Sequence, residues 1–202
     1  MRSSKLWMNY KSFIFVLMSE KTTLQKDFYR ESGKWLSTFQ IWMKCFSPNL
    51  HFIYLLRTTQ KYPKNTFLGK IWRLILRHYQ IKYGFQIYPE TQIGEGLYLG
   101  HWGTLVINPK VKIGKNCNIA QGVTIAQANR GKNEGVPEIG NEVWIGPNAV
   151  IVGNIKIGNN VLIAPNAYVN FDVPTNSVVI GNPATFSMKE NATSGYINNK
   201  IS

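Results

Sequence analysis

Residues 107–125 read INPKVKIGKNCNIAQGVTI, and residues 139–169 read IGNEVWIGPNAVIVGNIKIGNNVLIAPNAYV. In both stretches a branched or aliphatic residue returns at every sixth position. The same beat extends outward to give Ile87, Ile93, Leu99, Ile107, Ile113, Ile119, Ile125, Ile139, Ile145, Ile151, Ile157, Ile163 and Val169. A six-residue apolar period fits neither the 3.6-residue turn of a helix nor the two-residue alternation of an ordinary strand, and it predicts a solenoid. The aliphatic residue is usually followed by Gly or Ala, and a small or β-branched residue comes four places later, as in IGKNCN and IAPNAY. Three such units make a triangular coil of about 18 residues, with a short strand on each side and Gly, Asn or Pro at each corner. The fold class expected is therefore mainly β, a parallel β-helix.

The beat breaks twice. Leu99 to Ile107 is eight residues, and Ile125 to Ile139 is fourteen. A regular solenoid accommodates extra residues as loops, and such loops carry function. The chemistry is expected beside these two breaks.

The chain before the solenoid differs in kind. Residues 1–83 hold 15 Lys or Arg against 3 Asp or Glu, whereas residues 84–202 hold 8 against 7, so nearly all of the net +13 belongs to the first part. That part reads as helical. Trp35, Leu36, Phe39, Trp42, Met43 and Phe46 share one helical face. Ser47 and Pro48 read as the N-cap and first-turn proline of a second helix reaching about Arg57. A third helix, from about Thr66 to Lys82, places Lys70, Arg73 and Arg77 on one side and Leu68, Ile71, Trp72, Ile75 and Tyr79 on the other. Such a basic stripe is either a solvated face or a contact for the anionic inner face of a membrane. No nucleic-acid-binding motif accompanies it. No run approaches the roughly 20 apolar residues needed to span a bilayer, so a cytoplasmic protein, peripheral to the membrane at most, is expected. The opening SFIFVLM is short for a signal peptide and lacks a small-residue cleavage site. Met18 opens a plausible alternative start. The organisation expected is an alternative-start or disordered segment at 1–17, a basic helical region at 18–83, the solenoid at 84–184 with a loop at 127–137, and a tail at 185–202.

Of the two cysteines, Cys117 occupies a small inward position and reads as a buried thiol in a reducing compartment. Of the three histidines, His51 and His78 fall in the helical region and read as packing or surface residues. His101 lies in GLYLGHWGTLVIN, at the first break, among glycines that let a ligand approach the backbone. A zinc site on a solenoid would need three converging histidines, and only His101 lies there, so no metal is expected. The loop AQANRGKNEGVP carries Asn129, Arg130 and Lys132, which are expected, with Trp102 beside the histidine, to meet a substrate from the same or a neighbouring chain.

Over about residues 83–184, on IGEGLYLGHWGTLVINPKVKIGKNCNIAQGVTI, the long loop, PEIGNEVWIGPNAVIVGNIKIGNNVLIAPNAYV and DVPTNSVVIGNPA, the sequence resembles the hexapeptide-repeat acyltransferases. Within them it is similar to the serine acetyltransferase-like branch that includes capsule and exopolysaccharide O-acetyltransferases. The resemblance implies a left-handed parallel β-helix assembled as a homotrimer, with acetyl-CoA as co-substrate in the groove between neighbouring solenoids. It implies that His101 is the general base, with the amide of Gln127 as oxyanion donor. It places CoA against the corners at Gly146, Pro147, Ala164 and Pro165, against the turn Gly181, Asn182 and Pro183, and, for its phosphates, near Lys189.

The departures bear on the acceptor. Where serine acetyltransferases have an Asp fifteen residues before the base, this chain has Gln86, a possible orienting group. Where they have an Arg and a His ahead of the loop's last proline, it has Gly135 and Val136. These changes predict transfer to a sugar hydroxyl of a capsular or exopolysaccharide, or of its lipid-linked precursor. L-serine is the alternative acceptor, and a non-catalytic solenoid binding CoA or a glycan is the alternative class.

Overall fold

The computed structural model of the protein describes residues 21–202, so the expected segment at 1–17 and the Met18 start lie outside the described residues. Four helices come first: α1 (Thr23–Ser32), α2 (Thr38–Lys44), α3 (Pro48–Lys61) and α4 (Phe67–Tyr83). Their starts are written in the sequence. Thr22 forms a capping box with Gln25, and Ser37 forms one with Gln40, each satisfying amides that a helix end leaves free. Ser47 is the N-cap of α3 with Pro48 in the first turn, as expected, although its side chain makes no cap bond.

Five coils of parallel solenoid follow. Face A stacks β1 (Phe85–Gln86), β4 (Leu105–Ile107), β7 (Thr124–Ala126), β10 (Val150–Val152) and β13 (Tyr168–Val169). Face B stacks β2 (Gln92–Ile93), β5 (Lys112–Ile113), β8 (Glu138–Ile139) and β11 (Lys156–Ile157). Face C stacks β3 (Tyr98–Leu99), β6 (Asn118–Ile119), β9 (Trp144–Ile145), β12 (Val161–Ile163) and β14 (Ser177–Gly181), and β15 (Ala184–Met188) adds antiparallel to β14. Every residue of the six-residue beat is buried and stands in register above its counterpart, as Ile107 does on Ile125 and Ile125 on Ile151.

The coils lie close because of what stands at the corners. After each B strand comes a glycine, and a Cβ on Gly94, Gly114, Gly140 or Gly158 would lie 2.4–2.7 Å from the next coil. Two residues after each of these glycines the chain turns through positive φ, at Gly96, Asn116, Glu142 and Asn160. Asparagine tolerates this region because its short polar side chain bonds locally.

The helices are fastened to the first coil by buried charge. Arg57 of α3 pairs with Asp27 of α1 at 2.7 Å and donates to the carbonyls of Ile93 and Gly94. Asp27 also accepts the Leu97 amide at 2.9 Å. Phe52 of α3 packs on Phe85 of β1.

Three expectations need correction. The helix expected over Trp35 to Phe46 is only α2, and of its residues only Ile41 is buried; Trp35, Phe39, Trp42, Met43 and Phe46 are exposed. On α4, Leu68 is exposed, and Phe67, Leu74 and Ile81 stand exposed among the basic side chains, while Arg73 pairs with Glu90. The stripe is therefore interrupted by apolar side chains, and one of its three cations, Arg73, is paired. Finally, the segment after Ala184 is no loose tail. It completes β15 and then climbs back over face C: Thr193 bonds Asn160, Tyr196 packs on Trp144, Ile201 exchanges two hydrogen bonds with Asn116, and Asn199 donates to the Arg30 carbonyl in α1.

Candidate active site

The first break in the beat sits at the corner between β3 and β4, where face C turns into face A. His101 and Trp102 are both exposed there. The backbone around them is held from the helical region. Asn49, in the first turn of α3, donates to the Gly100 carbonyl at 3.2 Å, and the Gly103 amide bonds the Tyr83 carbonyl at 3.2 Å. His51 Nδ1 lies 2.8 Å from the Tyr83 hydroxyl, and the two rings form an edge-to-face pair. Burial, and after it the charge of Lys82, push the His51 imidazole below its ordinary value. These helical histidine contacts are the packing role expected from the sequence.

The corner is the top of a column. Beneath Gly100 and His101 stand Ala120 and Gln121, then Gly146 and Pro147, then Ala164 and Pro165, and then the turn from Gly181 to Pro183, because β3, β6, β9, β12 and β14 are in register. Four steps of about 4.8 Å make this column roughly 19 Å long. The solenoid thus brings onto one edge His101 and seven of the eight residues expected to hold CoA. The eighth, Lys189, lies elsewhere: β15 runs antiparallel to β14, and the Lys189 amide bonds Asn176 at the opposite end of β14.

The polar capacity of the column also differs from expectation. The Gly146 and Ala164 amides are committed to the Ile163 and Val179 carbonyls, and the Asn148 and Asn166 amides to Gln121 and Pro147. Pro147 and Pro165 have no amide to offer. Gly146, Pro147, Ala164 and Pro165 therefore present shape and apolar surface, and the exposed side chains of Asn148 and Asn166, which were not among the expected site residues, are the polar groups beside them. The signal in the sequence is the repeated Pro-Asn-Ala at 147–149 and 165–167, whose asparagines take positive φ, 59° and 60°.

The second break lies at the other edge of face A. After β7 the chain forms a hairpin in which Ala128 and Gly135 exchange backbone hydrogen bonds, anchored by Asn133, which donates to the Asn170 carbonyl and whose own carbonyl accepts the Asn154 amide. Gln127, Asn129, Arg130 and Lys132 are exposed on it, and Gln127 donates to Asn129 at 2.9 Å. Val136 is half-buried against the solenoid core. One side of a coil, six residues at about 3.3 Å, separates the two edges by roughly 20 Å. Within one chain, then, Gln127 and the loop do not meet His101.

Between α4 and face A runs a groove of about 410 Å³, lined by Arg77, Gln80, Gln86, Tyr88, Thr104 and Val106 among others. Thr104 is three residues from His101. Gln86, facing outward from β1, donates its side-chain amide to the Tyr88 hydroxyl at 3.1 Å. Larger clefts of about 490 and 660 Å³ open on the face B side, around Gln60, Ile93 and Gly94, away from the His101 corner.

Residues 137–170 match the family model of the bacterial transferase hexapeptide, six repeats. The chain is similar to a serine acetyltransferase of Staphylococcus xylosus, 38% identical over 111 residues that make up 55% of this chain and 51% of that one. It is similar also to the chloroplastic serine acetyltransferase 1 of Arabidopsis thaliana, 40% identical over 111 residues, 55% of this chain and 35% of that one. Among solved structures it resembles the Neisseria gonorrhoeae serine acetyltransferase in complex with serine, at 28% identity and a TM-score of 0.66, over 82% of this chain and 67% of that one. The Brucella abortus serine acetyltransferase in complex with coenzyme A matches at 26% identity and a TM-score of 0.63, over 83% and 65%. The chain spans between about a third and a half of the length of the curated relatives it matches.

The hexapeptide solenoid presents three unlike faces. Face C is covered by residues 189–202, and face B shows Gln92, Lys112, Glu138 and Lys156 to solvent. Face A presents the half-buried Val106, Ala126, Val150, Val152 and Tyr168. Among the described residues no group of three or more His, Cys, Asp or Glu side chains is placed to hold a metal ion, and no helix is long and apolar enough to cross a membrane. Cys117 is fully buried, bonds the Gly140 carbonyl, and has its thiol pushed up to about 12 by that burial.

Proposed function

We propose that the protein is an acetyl-CoA-dependent O-acetyltransferase in which His101 is the general base. The observation that carries this is the column: an exposed imidazole at the head of a stack of corners, about 19 Å long, on a chain similar to serine acetyltransferases, one of them solved with coenzyme A. The column suits the pantetheine arm, apolar at Pro147 and Pro165, with Asn148 and Asn166 to take its amides. His101 takes the proton of the acceptor hydroxyl while that oxygen attacks the thioester carbonyl, and gives it to the departing thiolate as the carbonyl reforms. Face A beyond its first coil, mostly apolar and not covered by any described residue, is the surface for a second and third copy. In a cyclic trimer packed through it, the loop of one copy meets the His101 edge of the next, which brings Gln127, Arg130 and Lys132 to the site.

The relatives named above support L-serine as the acceptor. A sugar hydroxyl is the second reading, favoured by the groove between α4 and face A. Its lining offers amides and hydroxyls from Gln80, Gln86, Tyr88 and Thr104, and no carboxylate to receive the ammonium group of serine. Thiol release from acetyl-CoA, followed with L-serine and with a panel of hexoses and N-acetylhexosamines, separates the two. Turnover with neither acceptor, or turnover unchanged in His101→Ala, would refute the assignment.

A further inference from the structure

The stretch from Trp35 to Phe46 is one of two exposed apolar surfaces of the described helical region, the other being Phe67, Leu68, Leu74 and Ile81 on α4, and it is the one that carries tryptophan. Phe39, Trp42 and Phe46 are 69%, 61% and 84% exposed, and Trp35 and Met43 are about half exposed. Only Ile41 faces inward from α2. In this ridge Phe39, Trp42 and Met43 lie along one face of α2, and Trp35 and Phe46 flank the helix on either side. Lysines frame it. Lys21 stands over the Trp35 ring, 5.7 Å from its centroid, and Lys34 and Lys44 are exposed at either end. Against them, Glu31 is the one exposed acidic side chain between residues 21 and 47. The helical region as a whole, residues 21–83, carries 12 Lys or Arg and 2 Asp or Glu.

Tryptophan and phenylalanine flanked by lysine is the composition that settles at the boundary between lipid headgroups and acyl chains. A second copy of the chain is a poorer occupant. A two-fold contact through the ridge would set Lys34 and Lys44 against the same lysines of the other copy, and like charges brought together across an interface oppose it. We propose that the Trp35 to Phe46 ridge docks the protein on an anionic lipid surface, with Trp42 and Phe46 inserted at headgroup depth and Lys21, Lys34 and Lys44 on the phosphates. This does not depend on acetyl transfer.

The test is co-sedimentation of the full chain with vesicles of phosphatidylcholine and phosphatidylglycerol in equal parts, and with phosphatidylcholine alone. The wild type should pellet with the mixed vesicles and be released by high salt. Trp42→Ser with Phe46→Ser should weaken binding about tenfold or more, and Lys34→Gln and Lys44→Gln about fivefold each. Circular dichroism and solution size should stay as in the wild type. Absence of wild-type binding, or equal binding of wild type and both variants, would overturn the proposal. A Trp42→Ser, Phe46→Ser protein that falls to a smaller oligomer would assign the ridge to chain association instead.

Discussion

The backbone oxygen of Tyr83, the last residue of α4, accepts the amide of Gly103 at 3.2 Å, so the corner that carries His101 is fixed to the end of a helix. With Asn49 holding the Gly100 carbonyl on the other side, the backbone of the base is set while its ring remains exposed. Replacing the ring should therefore leave the corner standing. His101→Ala is expected to lower acetyl transfer by about 10² to 10⁴, with the melting temperature and CoA affinity nearly unchanged by calorimetry.

The separation of His101 from the hairpin within one chain leads to a complementation experiment. Chains carrying His101→Ala, mixed with chains lacking 128–136, should regain part of the lost activity in verified mixed oligomers, because some interfaces then pair an intact histidine with an intact loop. Inactivity of such mixtures would show that the loop is not needed across the interface.

At Gly140 an added methyl would stand 2.6 Å from the Gly158 carbonyl oxygen of the next coil. Gly140→Ala should cost about 1–3 kcal/mol through overpacking, read as a lower denaturation midpoint. The same change at Gly131, where nothing lies within 4 Å, meets no such clash, and its cost comes from the positive φ of 89° instead.

Arg57→Met leaves Asp27 buried without its countercharge and should cost about 3–5 kcal/mol. Burial pushes the Asp27 carboxyl above its ordinary value, and Arg57 opposes that. With Arg57 gone only the backbone amides of Leu97 and Gly96 oppose the rise, and a group whose folded value is raised gains stability as pH falls through it. The deficit of the variant should therefore shrink in acid, as measured by urea unfolding across pH.

Glu95 behaves in the opposite sense. A hydrogen bond from Lys26 at 2.6 Å, and then one from Lys115, hold it below its ordinary value of 4.5 against the effect of burial. Its contribution is present above the unfolded value and is lost as pH falls through the folded one. Glu95→Gln should cost about 1 kcal/mol at neutral pH, and the two proteins should converge in strong acid.

The solenoid was legible because its period is a statement about burial. Ile87 to Val169 each needed only to face inward, and the strand geometry leaves no other way to satisfy a six-residue beat. The two breaks were legible for the same reason, and they located the His101 corner and the hairpin. Whether those two meet was not legible, because that depends on which corner each break occupies, and the count from Leu99 to Ile125 had to be followed around the coil. The aromatic period of Trp35 to Phe46 showed that the residues share a face but not that anything covers it; α2, at seven residues, packs only Ile41. Helix α1 gave little apolar signal, since only Leu24 and Phe28 are its buried apolar side chains and Asp27 and Arg30 share in fastening it. Lys189 was misplaced because the sequence does not show that β15 doubles back.

The return of residues 189–202 across face C joins both ends of a stack that would otherwise be one-dimensional. In an open array of repeats the terminal units fray first, and stability is a sum of neighbour terms. Here Thr193 grips the fourth coil and Asn116 of the second holds Ile201, while Asn199 reaches α1. Loosening either end strips contacts from the other, so the coils are expected to melt as one cooperative unit.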